Sequence, residues 1–279
     1  MKFPLSPRAK RNGNGYIDHC PAHEDKNPSL SINYAPDGKL LLHCFAGCSF
    51  EEIINAAGIK CTSEKKFTRS LKNDVPDNAS EKNYQRAKDI WNETIPLKGT
   101  LGEKYYNSRE LTIWSEDIRY HNSLYEAETK GKLPGIVCAV RRNWKLVGIH
   151  RTFLKNDGGK LCKKMLGPCN GASVYVGGSG KNIVLCEGIE NALSALRMLG
   201  WERATFLSAL SAAGLKNFAL PRKPGTLILM PDSDEVGKVS ALQLGERAAG
   251  LGWKASTLFP PRKGDWNDYL IEELEKQNG

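Results

Sequence analysis

Ile183-Val-Leu-Cys-Glu187-Gly188 and Leu227-Ile-Leu-Met-Pro-Asp232-Ser-Asp234 decide the fold of this chain. Each is a short apolar run that closes on carboxylates, and each is followed by a helical pattern, Glu190 to Leu199 after the first and Gly237 to Leu251 after the second. Strand and helix alternating in this way predict a parallel sheet within an α/β fold. Open sheets of that kind carry their functional residues just beyond the carboxyl ends of the strands. Glu187, Asp232 and Asp234 are 45 positions apart (187 to 232) yet fall at such ends. Three acids there make an oxygen-rich pocket suited to Mg²⁺ and phosphate, so metal-dependent phosphoryl chemistry is the expectation. Helix caps and turns account for any one of these acids but poorly for all three at two strand ends.

Working outward, Gly264-Asp265-Trp-Asn-Asp268 forms a further acidic cluster after the apolar stretch Ser256-Thr-Leu-Phe259, which brings Asp265 toward the same pocket or makes it a turn ahead of a capped helix. Glu190, one turn past Glu187, reads as an acid favouring a helix N-terminus. Upstream, strand signals at Gly135 to Arg141 and Leu146 to Phe153 accompany a concentration of cations: Arg141, Arg142, Lys145, Arg151, Lys155, Lys160, Lys163 and Lys164. Arg suits bidentate phosphate contacts and Lys supplies a point charge. Trp144, Phe153 and Tyr175 have faces on which bases could stack, although core packing is the plainer expectation for each.

The N-terminal 60 residues have another character. Cys20-x₂-His23, twenty intervening residues and Cys44-x₃-Cys48 have the layout of a zinc ribbon, with two knuckles at either end of a hairpin, Ser29 to Tyr34 and Lys39 to His43, turned at Pro36-Asp37-Gly38. His19 or His43 could stand in for one ligand. Ser49 is placed to cap a short helix, Phe50 to Ala57, with Glu52 at the capping-box position. A module so small needs the metal for much of its folding free energy. Cys138 and Cys186 sit inside apolar strands and read as small core residues. Residues 61–80 are polar and aperiodic, a linker, and residues 81–175 open with a helix from Glu81 to Glu93 and a second helical piece, Lys104 to Arg109.

Bulk properties limit the alternatives. The chain has 279 residues, enough for two domains, with eight cysteines and a formal charge of +9. The basic balance (pI about 9.1) is compatible with a polyanionic partner. No run of 18 apolar residues occurs, and the start lacks the apolar core of a signal peptide, so a cytoplasmic protein without membrane association is expected and the cysteines are read as metal ligands or free thiols. Gly177-Gly-Ser-Gly-Lys181 lacks the spacing and the following Ser/Thr of a nucleotide-binding P-loop.

Two stretches resemble known families. Cys20-Pro-Ala-His-Glu-Asp-Lys-Asn-Pro-Ser-Leu-Ser-Ile32 with His43-Cys-Phe-Ala-Gly-Cys48 looks like the CHC2-type zinc-binding domain of bacterial and phage DNA primases, and Val184-Leu-Cys-Glu-Gly-Ile-Glu-Asn-Ala192 with Met230-Pro-Asp-Ser-Asp-Glu-Val-Gly237 resembles the Toprim domain. Their order resembles a DnaG-type primase of a phage, plasmid or mobile element. The resemblance implies a zinc-ribbon domain over 1–60 with structural Zn²⁺ on Cys20, His23, Cys44 and Cys48, a linker over 61–80, a basic core subdomain over 81–175, and a Toprim catalytic domain over 176–279. It implies Mg²⁺ or Mn²⁺ on Asp232 and Asp234, with Glu187 a ligand or proton-transfer group and Asp265 nearby. It also implies nucleotide or template contacts from Arg151 and Lys164, backed by His150 and Lys163, and RNA primer synthesis from NTPs on single-stranded DNA beside a separate replicative helicase. A Toprim nuclease using the same acids, and a catalytically silent single-strand-binding accessory protein, are the competing readings.

Overall fold

The computed structural model describes residues 3–12, 15–25, 28–34, 40–44, 48, 50–59, 78–261 and 264–278. The chain divides into two compact units, Met1–Asn73 and Asp74–Gly279.

The first unit is a four-stranded antiparallel sheet in sequential order: β1 (Lys10–Asn12), β2 (Gly15–Asp18), β3 (Leu30–Tyr34) and β4 (Leu40–Cys44), followed by helix α1 (Phe50–Ala56). The expected hairpin is β3 and β4. The two strands before it are too short and polar to announce themselves by alternation. Leu30 and Ile32, two apart on β3, point to one face and are buried with Phe3, Ile53 and Ile54. The register pairs Asp18 and Cys44 with Leu30 from either side, which brings the end of β2, and so Cys20, level with Cys44. The turn at residues 36–38, Ser49, residues 61–77 of the linker and the His43 side chain lie outside the described residues.

The second unit begins with α2 (Asn78–Asn92), β5 (Ile95–Pro96) and α3 (Leu101–Asn107). Thr100 caps α3, its hydroxyl accepting from the Gly102 and Glu103 N–H groups, while Glu103 reaches back to the Gly99 N–H at 2.6 Å. Long antiparallel strands follow: β6 (Ile118–Glu126), β7 (Gly131–Arg142), β8 (Lys145–Leu154), β9 (Lys160–Leu166) and β10 (Ser173–Gly177). Then come β11 (Ile183–Cys186), α4 (Ile189–Leu199), β12 (Thr205–Ser208), α5 (Ala212–Asn217), β13 (Thr226–Met230), α6 (Glu235–Gly250), β14 (Lys254–Thr257) and α7 (Trp266–Asn278).

The parallel part is ordered β12-β11-β13-β14, all four strands running the same way. The chain leaves β11 for the neighbour on one side and returns to the neighbour on the other, so the topological switch falls between β11 and β13, where α/β sheets open a crevice for ligands. The structure adds what alternation of strand and helix did not predict: β10 joins β12 and β7, both antiparallel, and fuses the parallel strands with the basic antiparallel ones in one ten-stranded sheet. An edge strand left open on either part would be a template for unwanted pairing, and β10 closes both. One core cluster accordingly runs from Leu97 and Tyr106 through Ile136 and Val174 to Leu193 and Trp266. Helices α4 and α7 pack together, as do α5 and α6. Among the described residues no helix is long and apolar enough to cross a membrane.

Candidate functional site

In the first unit, one ligand atom each from Cys20, His23, Cys44 and Cys48 lies within 4.8 Å of the others. His23 Nδ1 is 3.2 Å from Cys48 Sγ and 3.9 Å from Cys44 Sγ. Sulfurs and nitrogens held 2.0–2.3 Å from a tetrahedral centre stand about 3.5–3.8 Å apart, so the donor set and its spacing fit Zn²⁺. Asp25 organises the first knuckle. It accepts from the Cys20 N–H at 2.7 Å, the Ser29 N–H at 3.2 Å and the Ser29 hydroxyl at 2.6 Å, and its other oxygen lies 3.6 Å from His23 Nε2. Such a carboxylate behind the imidazole fixes which nitrogen faces the metal. Without a cation, burial and the neighbouring thiols push Cys20 up to about 12, so metal uptake at neutral pH must release protons.

The acids of the second unit meet at the switch point. Cys186 pairs with Met230 across β11 and β13, so Glu187 and Asp232 emerge at nearly the same level. Glu187 Oε2 is buried without a hydrogen-bond partner. A Cβ on Gly237 would fall 3.0 Å from that oxygen and 3.1 Å from Asp234 Oδ1, so glycine there leaves the space into which both carboxylates point. Burial first, then the charges of Asp232 and Asp234, raise Glu187 from its usual 4.5 to about 7. Burial, Asp265 and Asp234 likewise raise Asp232, although Asn191 donates to its Oδ1 at 2.6 Å. Asp234 also caps α6 through the Gly237 N–H at 2.7 Å, and Asp265 caps α7 through the Asn267 and Asp268 N–H groups at 2.8 and 2.9 Å. Capping therefore explains part of the placement of those two. Glu187 also accepts from the Ala212 N–H at the start of α5 and from the Asp232 backbone, and Asn191 serves Asp232. Yet both carboxyls stay raised and one Glu187 oxygen is orphaned, an excess of negative charge that a cation would relieve. The donor set suits a hard divalent cation.

This crowding gives a pH prediction. A carboxyl raised in the folded state binds its proton more tightly there than in the unfolded chain, so metal-free protein loses stability as pH rises from about 4.5 to about 7. After allowance for partial exposure, the loss amounts to about 1–2 kcal/mol. Glu187→Gln removes it: the melting temperature of the metal-free variant, measured against the parent, is expected to gain between pH 5 and pH 8, and saturating Mg²⁺ should erase the gain. An unchanged difference across that range would refute the crowding.

Glu190 does more than favour a helix end. It is buried, receives the Lys163 ammonium at 2.9 Å and the Tyr105 hydroxyl at 3.0 Å, and so ties β9 and α3 to α4. Burial acts to raise it, but Lys163 prevails and holds it down to about 2. Glu190→Gln is expected to cost about 2 kcal/mol, less than breaking a fully buried pair because Lys163 is partly exposed, and thermal or urea unfolding reads the loss.

The four basic candidates do not share one surface. Side chains alternate along a strand, and the register pairs Arg151 with Lys164 and Thr152 with Lys163. His150 and Lys163 face the Glu190 side; burial and Lys163 lower His150 to about 4. Lys163 is close enough to Asp232 to lower it. Arg151 and Lys164 occupy the opposite face, where Arg151 is buried over the Phe153 ring at 5.4 Å and Lys164 bonds Glu126 at 2.5 Å and Glu128 at 2.7 Å. Phe153 is core, as expected. Trp144 is not: it is 68 % exposed at the tip of the β7–β8 turn, because a two-residue turn has no layer behind it to cover a ring.

Several residues near the acids carried no strong sequence signal. Asn191 had one: four positions after Glu187, it lies on the helical face that looks back at the strand end. Lys160, on β9, is lowered chiefly by burial and lies close enough to Arg109, just after α3, and to Asp265 to feel both charges. Asn267 donates to the Arg109 carbonyl at 2.9 Å and the Ser194 hydroxyl at 3.1 Å, fastening α7 to α4. Their partners are distant in sequence, so only the fold brings them together.

Comparison with known proteins matches two family models: a domain of unknown function, DUF7146, over residues 81–176, and a Toprim domain over residues 182–276. No curated protein matches the chain. Among solved structures it is similar to the zinc binding and RNA polymerase domains of the Aquifex aeolicus primase, with a TM-score of 0.43, 14% identity, and coverage of 96% of this chain and 79% of that one. It is also similar to the RNA polymerase domain of Mycobacterium tuberculosis primase DnaG, with a TM-score of 0.40, 12% identity, and coverage of 70% and 79%. The stretch that the Toprim model matches holds Glu187, Asp232, Asp234 and Asp265, and it follows in sequence a Cys₃His cluster of zinc-site geometry.

Proposed function

We propose that this chain is a DNA primase that joins NTPs into short RNA primers on single-stranded DNA. The observation that carries the reading is the convergence of Glu187, Asp232 and Asp234, with Asp265 beside them, at the switch point of a Toprim domain. A divalent cation held there would neutralise triphosphate charge and favour deprotonation of the attacking 3′-hydroxyl. Glu187, with one oxygen uncommitted, is the group suited to take that proton or to complete the cation's ligand set. Lys163 and Lys160 border the acids with positive charge for the triphosphate, Lys163 oriented by Glu190. Nuclease chemistry would use the same acids; the Cys₃His cluster in the same chain favours a template-holding polymerase over it. Replication of a phage or mobile element in a cytoplasm, and action beside a separate helicase, complete the proposal.

The test distinguishes the chemistries by their products. With γ-labelled NTP, single-stranded DNA and Mg²⁺, primer synthesis from the first nucleotide leaves the label on the 5′ end of an RNA oligomer. Shortened DNA with no such oligomer would establish the nuclease instead.

A further inference from the structure

We infer that a second track for single-stranded nucleic acid runs over the face of the ten-stranded sheet at the amino ends of β11 and β13, the opposite ends from the acids. A groove of about 720 Å³ lies there, floored by Tyr175 and Leu207 and walled by Arg142, Trp144, Lys181 and Lys223. Lys181 precedes β11 and Lys223 precedes β13, while Glu187 and Asp232 follow the same strands. The length of a four-residue strand, about 13 Å, therefore separates the two sites.

Three independent features describe the occupant. The first is charge. Four cationic side chains line the groove, and no carboxylate does among the described residues. Arg141 is neutralised by Asp117, with both contacts at 2.6 Å; among the described residues Arg142 bonds only the carbonyls of Pro168 and Asn170, and neither Lys181 nor Lys223 makes an ion pair. The second is the exposed Trp144 ring, set edge-on to Tyr175 with centroids 5.8 Å apart. A ring this exposed, met by a single aromatic neighbour among the described residues, keeps at least one indole face open to solvent. The third is the backbone beneath it: Asn143 and Trp144 both have positive φ, 50° and 65°, in a tight hairpin turn where glycine is the usual second residue. A bulky side chain in the left-handed region is uncommon, and this one covers no core. An aromatic platform beside uncompensated cations over an apolar floor is the chemistry of single-strand binding, in which bases stack and phosphates pair.

The inference takes its class of partner from the proposed function but does not depend on the acids. Its test uses the full chain carrying Asp232→Ala, so that no chemistry intervenes, and a fluorescent dodecamer of deoxythymidine followed by anisotropy over a salt series. Adding Trp144→Ala is expected to weaken binding about 5- to 100-fold. Adding Lys181→Ala with Lys223→Ala should lower the slope of log K against log salt by about 1.4, two phosphates at about 0.7 each. An oligomer bearing 5-iododeoxyuridine should crosslink to Trp144 or Tyr175, a readout independent of binding at other surfaces. Parent-like affinity and slope in both variants, with crosslinks elsewhere, overturn the inference. Trp144-dependent binding of ATP but not of the oligomer overturns it too, by assigning the groove to a mononucleotide. A parent chain that makes primers while these variants bind normally would sink the track alone and leave the catalytic reading standing.

Discussion

Cys44→Ser, or removal of zinc by a chelator, is expected to unfold the first unit and leave the melting of the second unchanged. The core of the first unit holds Phe3, Leu30, Ile32, Ile53 and Ile54, together with two of the ligands themselves, Cys20 and Cys44. Among the described residues these five are the fully buried apolar side chains besides the cysteines, with Tyr16, Leu40, Leu42 and Ile59 partly buried against them. Such a core is too small to offset the conformational entropy of ordering the module. Four thiol and imidazole donors closing on one ion contribute on the order of 10 kcal/mol, enough to decide whether the unit folds. Removing Cys44 acts twice, because its thiol is both a donor and part of the buried layer opposite Leu30. Metal analysis should fall from one zinc per chain to none. Amide exchange across β3 and α1 should accelerate by more than about a thousandfold, since protection in a two-state unit vanishes with its global stability. Retained protection in zinc-free protein would mean that the cluster is incidental to folding.

Asp232→Ala is expected to lower nucleotidyl transfer by about a thousandfold or more while the fold survives. Asp232 is at the meeting point of the site: Asn191 orients it, Asp265 and Asp234 crowd it, and Lys163 draws on its charge. On the proposed reading its loss would remove a cation ligand from the place where charge develops in the reaction, which affects the transition state more than substrate binding. The rate at saturating NTP should therefore fall with little change in KM. Unfolding measurements should show the variant at least as stable as metal-free parent, because one of the crowded carboxylates has gone. Asp265→Ala should cost less activity and more stability, because Asp265 also caps α7. Equal losses in the two variants would argue against the division of roles.

Much of this was legible in the sequence because the decisive segments are extreme in composition. Ile183-Val-Leu-Cys and Leu227-Ile-Leu-Met are continuous apolar runs, and a strand buried on both faces has no other way to read. The carboxylates that follow are the first residues free of the sheet. The Cys₃His cluster was legible for a related reason, since paired donors in a short segment leave few geometries. The basic strands were harder. Arg151 beside His150, and Lys164 beside Lys163, read as one cationic run, yet neighbours on a strand point oppositely, and only the β8–β9 register shows which pair meets Glu190 and which meets Glu126. The role of Glu190 depends on Tyr105, 85 positions away, and that of Asn267 on Arg109, 158 positions away. The junction through β10 was invisible for the same reason: pairing partners on a shared edge are set by the whole sheet, not by the five residues of the strand.

Template direction is the property that separates a primase from every other use of these acids. The most direct measurement is incorporation of labelled NTPs by the purified chain with Mg²⁺ on single-stranded templates of contrasting composition. Incorporation that follows the complement of each template, yields short RNA and disappears in Asp232→Ala is the predicted result. Incorporation indifferent to the template, or templates cut with no RNA made, would contradict it.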